Sequence, residues 1–159
     1  MPDDVRPISP KGTGSLRSVN GIGFGLKGFT RTDADGYCFA TRWFMLCNLP
    51  VIPLGRYYVR EGATTNVPGR ASTQYSVAGR GRLRLSEVGR TLAFSWLTTI
   101  AVVAPVIAVL WRADDVGLGW SLAMLVLWPA ATCSAAYFGL AYYRKHLAPL
   151  REVHWVAAG

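Results

Sequence analysis

Few residues in this chain have the type and spacing for chemistry. Gly23-Phe24-Gly25-Leu26-Lys27-Gly28 matches G-x-G-x-x-G, in which glycines let the backbone approach a pyrophosphate at a helix N-terminus. That use needs a strand before the motif and a helix after it. Here a Pro-, Gly- and Ser-rich stretch precedes it and β-type sequence follows, so a glycine-rich strand or close-packed turn is the favoured reading. Asp33-Ala34-Asp35-Gly36 opens like a calcium loop, but the later ligands and the terminal Glu are missing. A hairpin turn accounts for it. His146 and His154 have no carboxylate pair, nucleophile–base set or metal-ligand spacing around them. Cys38 or Cys47 as a reactive thiol requires an exposed, electropositive setting. The reading is therefore of no catalytic residue, no cofactor, no metal and no identifiable small-molecule substrate.

The arginines say more. In Gly79-Arg80-Gly81-Arg82-Leu83-Arg84-Leu85 an extended backbone puts Arg80, Arg82 and Arg84 on one side and the leucines on the other, with Arg90 a little further on. Ser86 is placed to cap a following helix, with Glu87 favourable in its first turn. Each cation near an anionic leaflet is worth about 1 kcal/mol, so contact with lipid head groups is expected from Arg80, Arg82, Arg84 and Arg90. Nucleic acid is the disfavoured alternative, because no recognisable nucleic-acid-binding fold accompanies the patch.

Two segments must position these residues. Thr91–Trp111 is 21 residues without a charge, and Val116–Tyr143 is 28. At about 1.5 Å per residue either crosses a hydrocarbon core roughly 30 Å thick. Trp111 and Trp120 bracket the connector, as interfacial rings do. Pro105 and Pro129 should bend the two helices. Small residues recur on one face of each, Ala101, Ala104 and Ala108 in the first and Ala131, Ala135 and Gly139 in the second, a pattern that permits close helix approach: the two spans packing on each other, or, alternatively, one face docking a larger membrane complex. Neither span holds an Asp, Glu, Lys, Arg or His, which argues against a pump, proton relay or self-sufficient transporter.

Charge orients the hairpin. Of 159 residues with net charge +8, the first 90 hold 13 Lys and Arg against six Asp and Glu. The connector Arg112-Ala113-Asp114-Asp115 is net acidic and the tail from Arg144 basic. The positive-inside rule then puts both termini in the cytoplasm and the turn outside. The N-terminus has no apolar run resembling a cleavable signal, and the cysteines are compatible with a reducing compartment.

Residues 1–20 read as a flexible tail and 21–85 as a basic β-rich module. Tyr37, Phe39, Thr41 and Trp43 alternate with Cys38, Ala40 and Arg42. Ile22–Thr30 and Arg56–Arg60 flank them as further strands, Glu61–Arg70 reads as a polar loop, and a short run around Gln74–Val77 follows. A three- or four-stranded antiparallel meander is expected, too small to be stable alone. The pattern W-F-x5-P-x-x-P-L-G-x-Y-Y-V, carried by Trp43, Phe44, Pro50, Pro53, Leu54, Gly55, Tyr57, Tyr58 and Val59, resembles a hairpin in small bacterial zinc-ribbon proteins. It is also similar to one in uncharacterised small bacterial membrane proteins with two spans. The likeness covers Gly21 to Arg60. It implies a β-hairpin and no activity, since the paired C-x-x-C knuckles of the zinc-ribbon proteins are absent here.

The expected architecture is thus membrane α+β. A cytoplasmic meander (21–85) precedes a two-helix transmembrane hairpin (86–143, spans about 91–111 and 118–143) and a cytoplasmic tail (144–159). The function expected is that of an accessory or scaffold subunit in the inner (plasma) membrane, its partners being lipids and a larger membrane complex or copies of itself. The alternatives are an oligomeric effector or pore whose β module senses a ligand, and an enzyme using Cys38, Cys47 or the glycine-rich loop.

Overall fold

A computed structural model of the chain describes residues 3–8, 18–19, 21–67, 70–112 and 117–157. The strands are β1 (Asp3–Pro7), β2 (Ser18–Val19), β3 (Ile22–Lys27), β4 (Tyr37–Leu46), β5 (Leu49–Val67) and β6 (Arg70–Gly81). Helices α1 (Leu85–Trp111) and α2 (Leu118–Tyr142) follow, then a π-helical turn (Tyr143–Leu147) and β7 (Val153–Trp155). The seven strands form one sheet in the order β2-β3-β4-β5-β6-β1-β7. Every neighbouring pair is antiparallel except β1 and β7, which run parallel.

The α+β class is as expected, but the sheet is larger than the meander foreseen and is mixed. Residues 3–7, read as part of a flexible tail, form β1, and the C-terminal tail supplies β7. Local composition gave no sign of either, because both are stabilised by distant contacts. Val5 is fully buried against Phe39 and Tyr58, and β1 reaches them by pairing with β6 at glycines, Val5 opposite Gly81 and Pro7 opposite Gly79. A Cβ at Gly79 would collide with the Val5 side chain. Within the expected polar loop over 61–70, residues 61–67 and 70 are strand: β5 and β6 continue to pair from Thr64–Thr73 to Val67–Arg70, in keeping with the β preference of threonine and valine. Residues 9–17 of the tail and Ala113–Asp115 of the connector lie outside the described residues.

Alternation along β4 sorts the core as expected. Cys38 and Ala40 cluster with Tyr57 and Val59 on one face, while Phe39 joins Tyr58 and Val5 on the other. Trp43 and Met45 then pack on Val88 and Leu92 of α1. Register shifts at Arg42/Trp43 and Phe44/Met45 redirect this end of the hairpin. Its two-residue turn, Cys47-Asn48, has positive φ at both positions (50° and 62°), the backbone that matches strand twist. Lys27 Nζ donates to the Asn48 carbonyl at 2.8 Å and Asn48 N to Gly21 O at 2.9 Å, tying β3 to the turn. Burial pulls the Lys27 ammonium below its ordinary pKa.

Both helices are long and apolar enough to cross a membrane by length and composition. They pack antiparallel: Arg90 lies over the Tyr143 ring at 4.8 Å, and Trp128 Nε1 donates to the Ala101 carbonyl at 2.9 Å. The second contact has a covalent cause. In a regular helix the residue-101 carbonyl accepts from the N–H of residue 105, and Pro105 has none. The Trp128 indole fills the vacancy from the neighbouring helix.

The small-residue stripes are not the packing face. Ala101, Ala104 and Ala108 are exposed, as are Ala131, Ala135 and Gly139, and nothing lies within 4 Å of where a Gly139 Cβ would stand. The less exposed positions are instead Ser95, Thr98, Val102 and Val106 on α1 and Leu125, Pro129, Thr132 and Ala136 on α2. Trp128, reaching across to the backbone carbonyl of Ala101, holds the helices in this rotation. The stripes face outward.

Candidate functional site

Where the sheet meets the helices, five charged side chains from distant parts of the chain converge. Arg56 on β5 shares a sheet face with Thr41 and Phe39, so its guanidinium is carried inside and is wholly buried. It grips Glu87 with two nitrogens, Nε to Oε2 at 2.7 Å and Nη2 to Oε1 at 3.0 Å, and Asp3 Oδ2 with Nη2 at 3.0 Å. Its plane rests on the Phe39 ring, 3.8 Å from the centroid. Gly81 leaves room for this stack, since a Cβ there would lie 3.3 Å from Phe39 Cε1 and 3.4 Å from Arg56 Nη1. Arg84 reaches Asp3 Oδ1 at 2.8 and 2.6 Å, and Arg151 Nη2 reaches Glu87 Oε1 at 3.4 Å.

Three arginines and two acids thus join β1, β5, the start of α1 and the segment after α2. Burying charge is costly unless it is paired and hydrogen-bonded; the grip on Glu87 pairs the guanidinium through Nε and Nη2, while Nη1 is buried without a hydrogen-bond partner. Glu87, 2% exposed in the first turn of α1, also sits where the helix dipole favours a carboxylate. Burial pushes the Asp3 carboxyl up, but hydrogen bonds from Arg56 and Arg84, with their charges, outweigh it and hold Asp3 below its usual pKa.

The helix-start position of Glu87 is legible in the sequence, whereas its partner Arg56 is not. The available signal was isolation: Glu87 is the sole acid between Glu61 and Asp114, at the edge of an uncharged span. Ser86 does not cap the helix. Arg84 occupies the N-cap with extended backbone and no side-chain cap bond, and its side chain turns to Asp3.

The four arginines expected at lipid head groups divide into two kinds. Arg84 is committed to Asp3, and Arg90 to the Tyr143 ring. Arg80 and Arg82 line an open cleft of about 690 Å³ with Arg6, Asp4, Leu83 and Val156. The cleft has three cations to one acid, and Asp4 is within 3.5 Å of His154 Nδ1.

The other candidates stay apart. Cys38 is buried, with Arg144 Nη2 3.8 Å from its sulfur, and burial raises its thiol pKa, which keeps it protonated. Cys47 is exposed in the β4–β5 turn, and Cys133 is exposed on α2. His146 packs on Tyr142 with ring centroids 4.7 Å apart. The glycine-rich run forms β3 with no helix after it, so the backbone cradle that motif requires is not built. Asp33–Gly36 is a turn: Gly36 has φ +83°, and Asp33 Oδ1 accepts from the backbone N–H of Asp35 and Tyr37. Among the described residues no three His, Cys, Asp or Glu side chains gather as metal ligands.

Searches of family models, curated proteins and solved structures give no match to this chain. The functional reading therefore rests on the chain's own geometry.

Proposed function

We propose that this chain is an integral membrane protein of two spans, with both termini and the sheet on the cytoplasmic side of the plasma (inner) membrane. It serves there as an accessory or scaffold subunit of a larger membrane assembly. The observation that carries the reading is the buried charge cluster. It anchors the seven-stranded sheet to the bases of both helices, so the module is presented at a set orientation to the bilayer.

Other features support the same reading. Arg6, Arg80 and Arg82 lie beside the start of α1, and Arg144 and Lys145 follow the end of α2. Basic residues at both ends of a hairpin favour the cytoplasmic side and attract anionic lipid. The outward Ala101–Ala104–Ala108 and Ala131–Ala135–Gly139 stripes leave helix faces on which another helix can approach closely. Crosslinking in native membranes followed by affinity purification tests the assignment. Distinct polypeptides should crosslink to the chain and co-purify in fixed ratio. A monodisperse monomer with no partner refutes the subunit role, and homo-oligomers that make liposomes conductive would favour a pore.

A further inference from the structure

A second basic cleft, of about 570 Å³, opens beside the end of α2. Arg31 and Thr32 enter it from the β3–β4 connection, Arg144 and Lys145 from the π-helical turn, and Tyr137 and Leu140 from the last turns of α2. No acid lines it. The acid nearest in sequence to Arg31 is occupied elsewhere, since Asp33 Oδ1 accepts two backbone N–H groups and Oδ2 takes the Tyr58 hydroxyl. Among the described residues neither Arg31 nor Lys145 has an ion-pair partner.

The polar wall is held in place before any ligand arrives. Thr30 Oγ1 accepts from Phe39 N at 2.9 Å and Thr30 N donates to Phe39 O at 2.9 Å, fixing the loop that carries Arg31 and Thr32. Arg144 is stacked on Phe29 at 4.7 Å and tied to Glu61 at 3.0 Å, which sets its position and that of the adjoining Lys145 backbone. The remaining wall is apolar and continuous with α2, where Tyr137 and Leu140 are exposed.

We propose that this cleft binds a phosphate-bearing anion, and that its source is an anionic phospholipid whose head group sits on Arg31, Thr32 and Lys145 while its chains follow Tyr137 and Leu140. Two free cations and a hydroxyl donor suit phosphate oxygens, and the apolar wall suits an acyl chain, which a soluble phosphate lacks. The lipid source rests on the membrane reading above.

The test uses the full chain purified from membranes in detergent and studied by native mass spectrometry with added phosphatidylglycerol, phosphatidylcholine or glycerol phosphate. Phosphatidylglycerol should bind at least tenfold more tightly than either other probe. Arg31→Gln with Lys145→Gln should weaken that binding roughly 25-fold, about fivefold for each cation lost. Arg112→Gln, at the far end of the hairpin, should leave it unchanged. Equal binding of phosphatidylglycerol by the double variant and the wild type overturns the site. Glycerol phosphate bound as tightly as the lipid overturns the lipid source and leaves a soluble phosphate site. Failure of the membrane reading is seen separately, as recovery of the chain in the soluble fraction before any lipid is added.

Discussion

Replacing Glu87 by Ala probes the charge cluster most sharply. The wild-type cluster of Asp3, Arg56, Arg84, Glu87 and Arg151 has three cations and two anions. Removing Glu87 strips Arg56, which is 0% exposed, of the 2.7 and 3.0 Å bonds and leaves it one acid, Asp3 at 3.0 Å. Arg151 loses its 3.4 Å contact at the same time. Breaking a buried pair by deleting one member costs about 3–5 kcal/mol, because the other charge stays buried. For a chain of this size each kcal/mol lowers the melting temperature by roughly 2–4 °C, so a drop of about 6–20 °C is expected. Near-ultraviolet circular dichroism of the detergent-solubilised chain reads this through the sheet aromatics Trp43, Tyr57 and Tyr58. Arg56→Met with Glu87→Leu removes both buried charges and should return stability to within about 1 kcal/mol of wild type. A melting temperature for Glu87→Ala within about 2 °C of wild type would refute the reasoning, as would a double variant less stable than the single.

Other outcomes follow from the same geometry. Trp128→Phe leaves the Ala101 carbonyl without its donor and should destabilise the helix pair by about 1 kcal/mol. In a Pro105→Ala background, where the backbone N–H returns, the same change should lose most of that hydrogen-bond cost, and an undiminished cost there would show that the bond contributes nothing. Asp3 is held below the ordinary carboxylate value of 3.8, so its stabilising effect is complete above that pH and fades as acid carries the pH through the lower folded value. Acid titration of unfolding should lose that part of the slope in Asp3→Asn, and an unchanged slope would count against the pairing. Burial, and then the bond to Asp33, raises the Tyr58 phenol above its ordinary value of 10.0. Absorbance titration should show this tyrosine ionising late and Asp33→Asn moving it down. Gly28 has φ +72°, and a Cβ would stand 2.5 Å from Thr91 Oγ1. Gly28→Ala should therefore cost at least 1 kcal/mol, roughly the left-handed backbone term alone, in a thermal melt.

Local pattern carried the parts of the fold that local physics determines. The alternation of Tyr37 to Trp43 placed side chains on the correct faces of β4, and uncharged length marked both helices. What it could not carry was pairing at long range. Val5 looks like one apolar residue in a polar tail until Gly79 and Gly81, more than 70 positions away, admit it beneath Phe39. Arg56 looks like a surface cation in a strand until Glu87 is brought to it by the start of α1. The alanine stripes misled about the internal interface for a related reason. Spacing names a face but not the neighbour that uses it, and the bond from Trp128 to the Ala101 carbonyl goes with another face turned inward.

The placement of the sheet at the cytoplasmic surface is tested most directly by thiol labelling in intact cells with a membrane-impermeant maleimide. Cys47, exposed in the β4–β5 turn, is the inside reporter and Asp114→Cys in the connector the outside one, both in a Cys133→Ala background. Asp114→Cys should label in intact cells and Cys47 only after the membrane is opened. Labelling of Cys47 from outside, or of neither position until lysis, contradicts a two-span hairpin with its sheet in the cytoplasm.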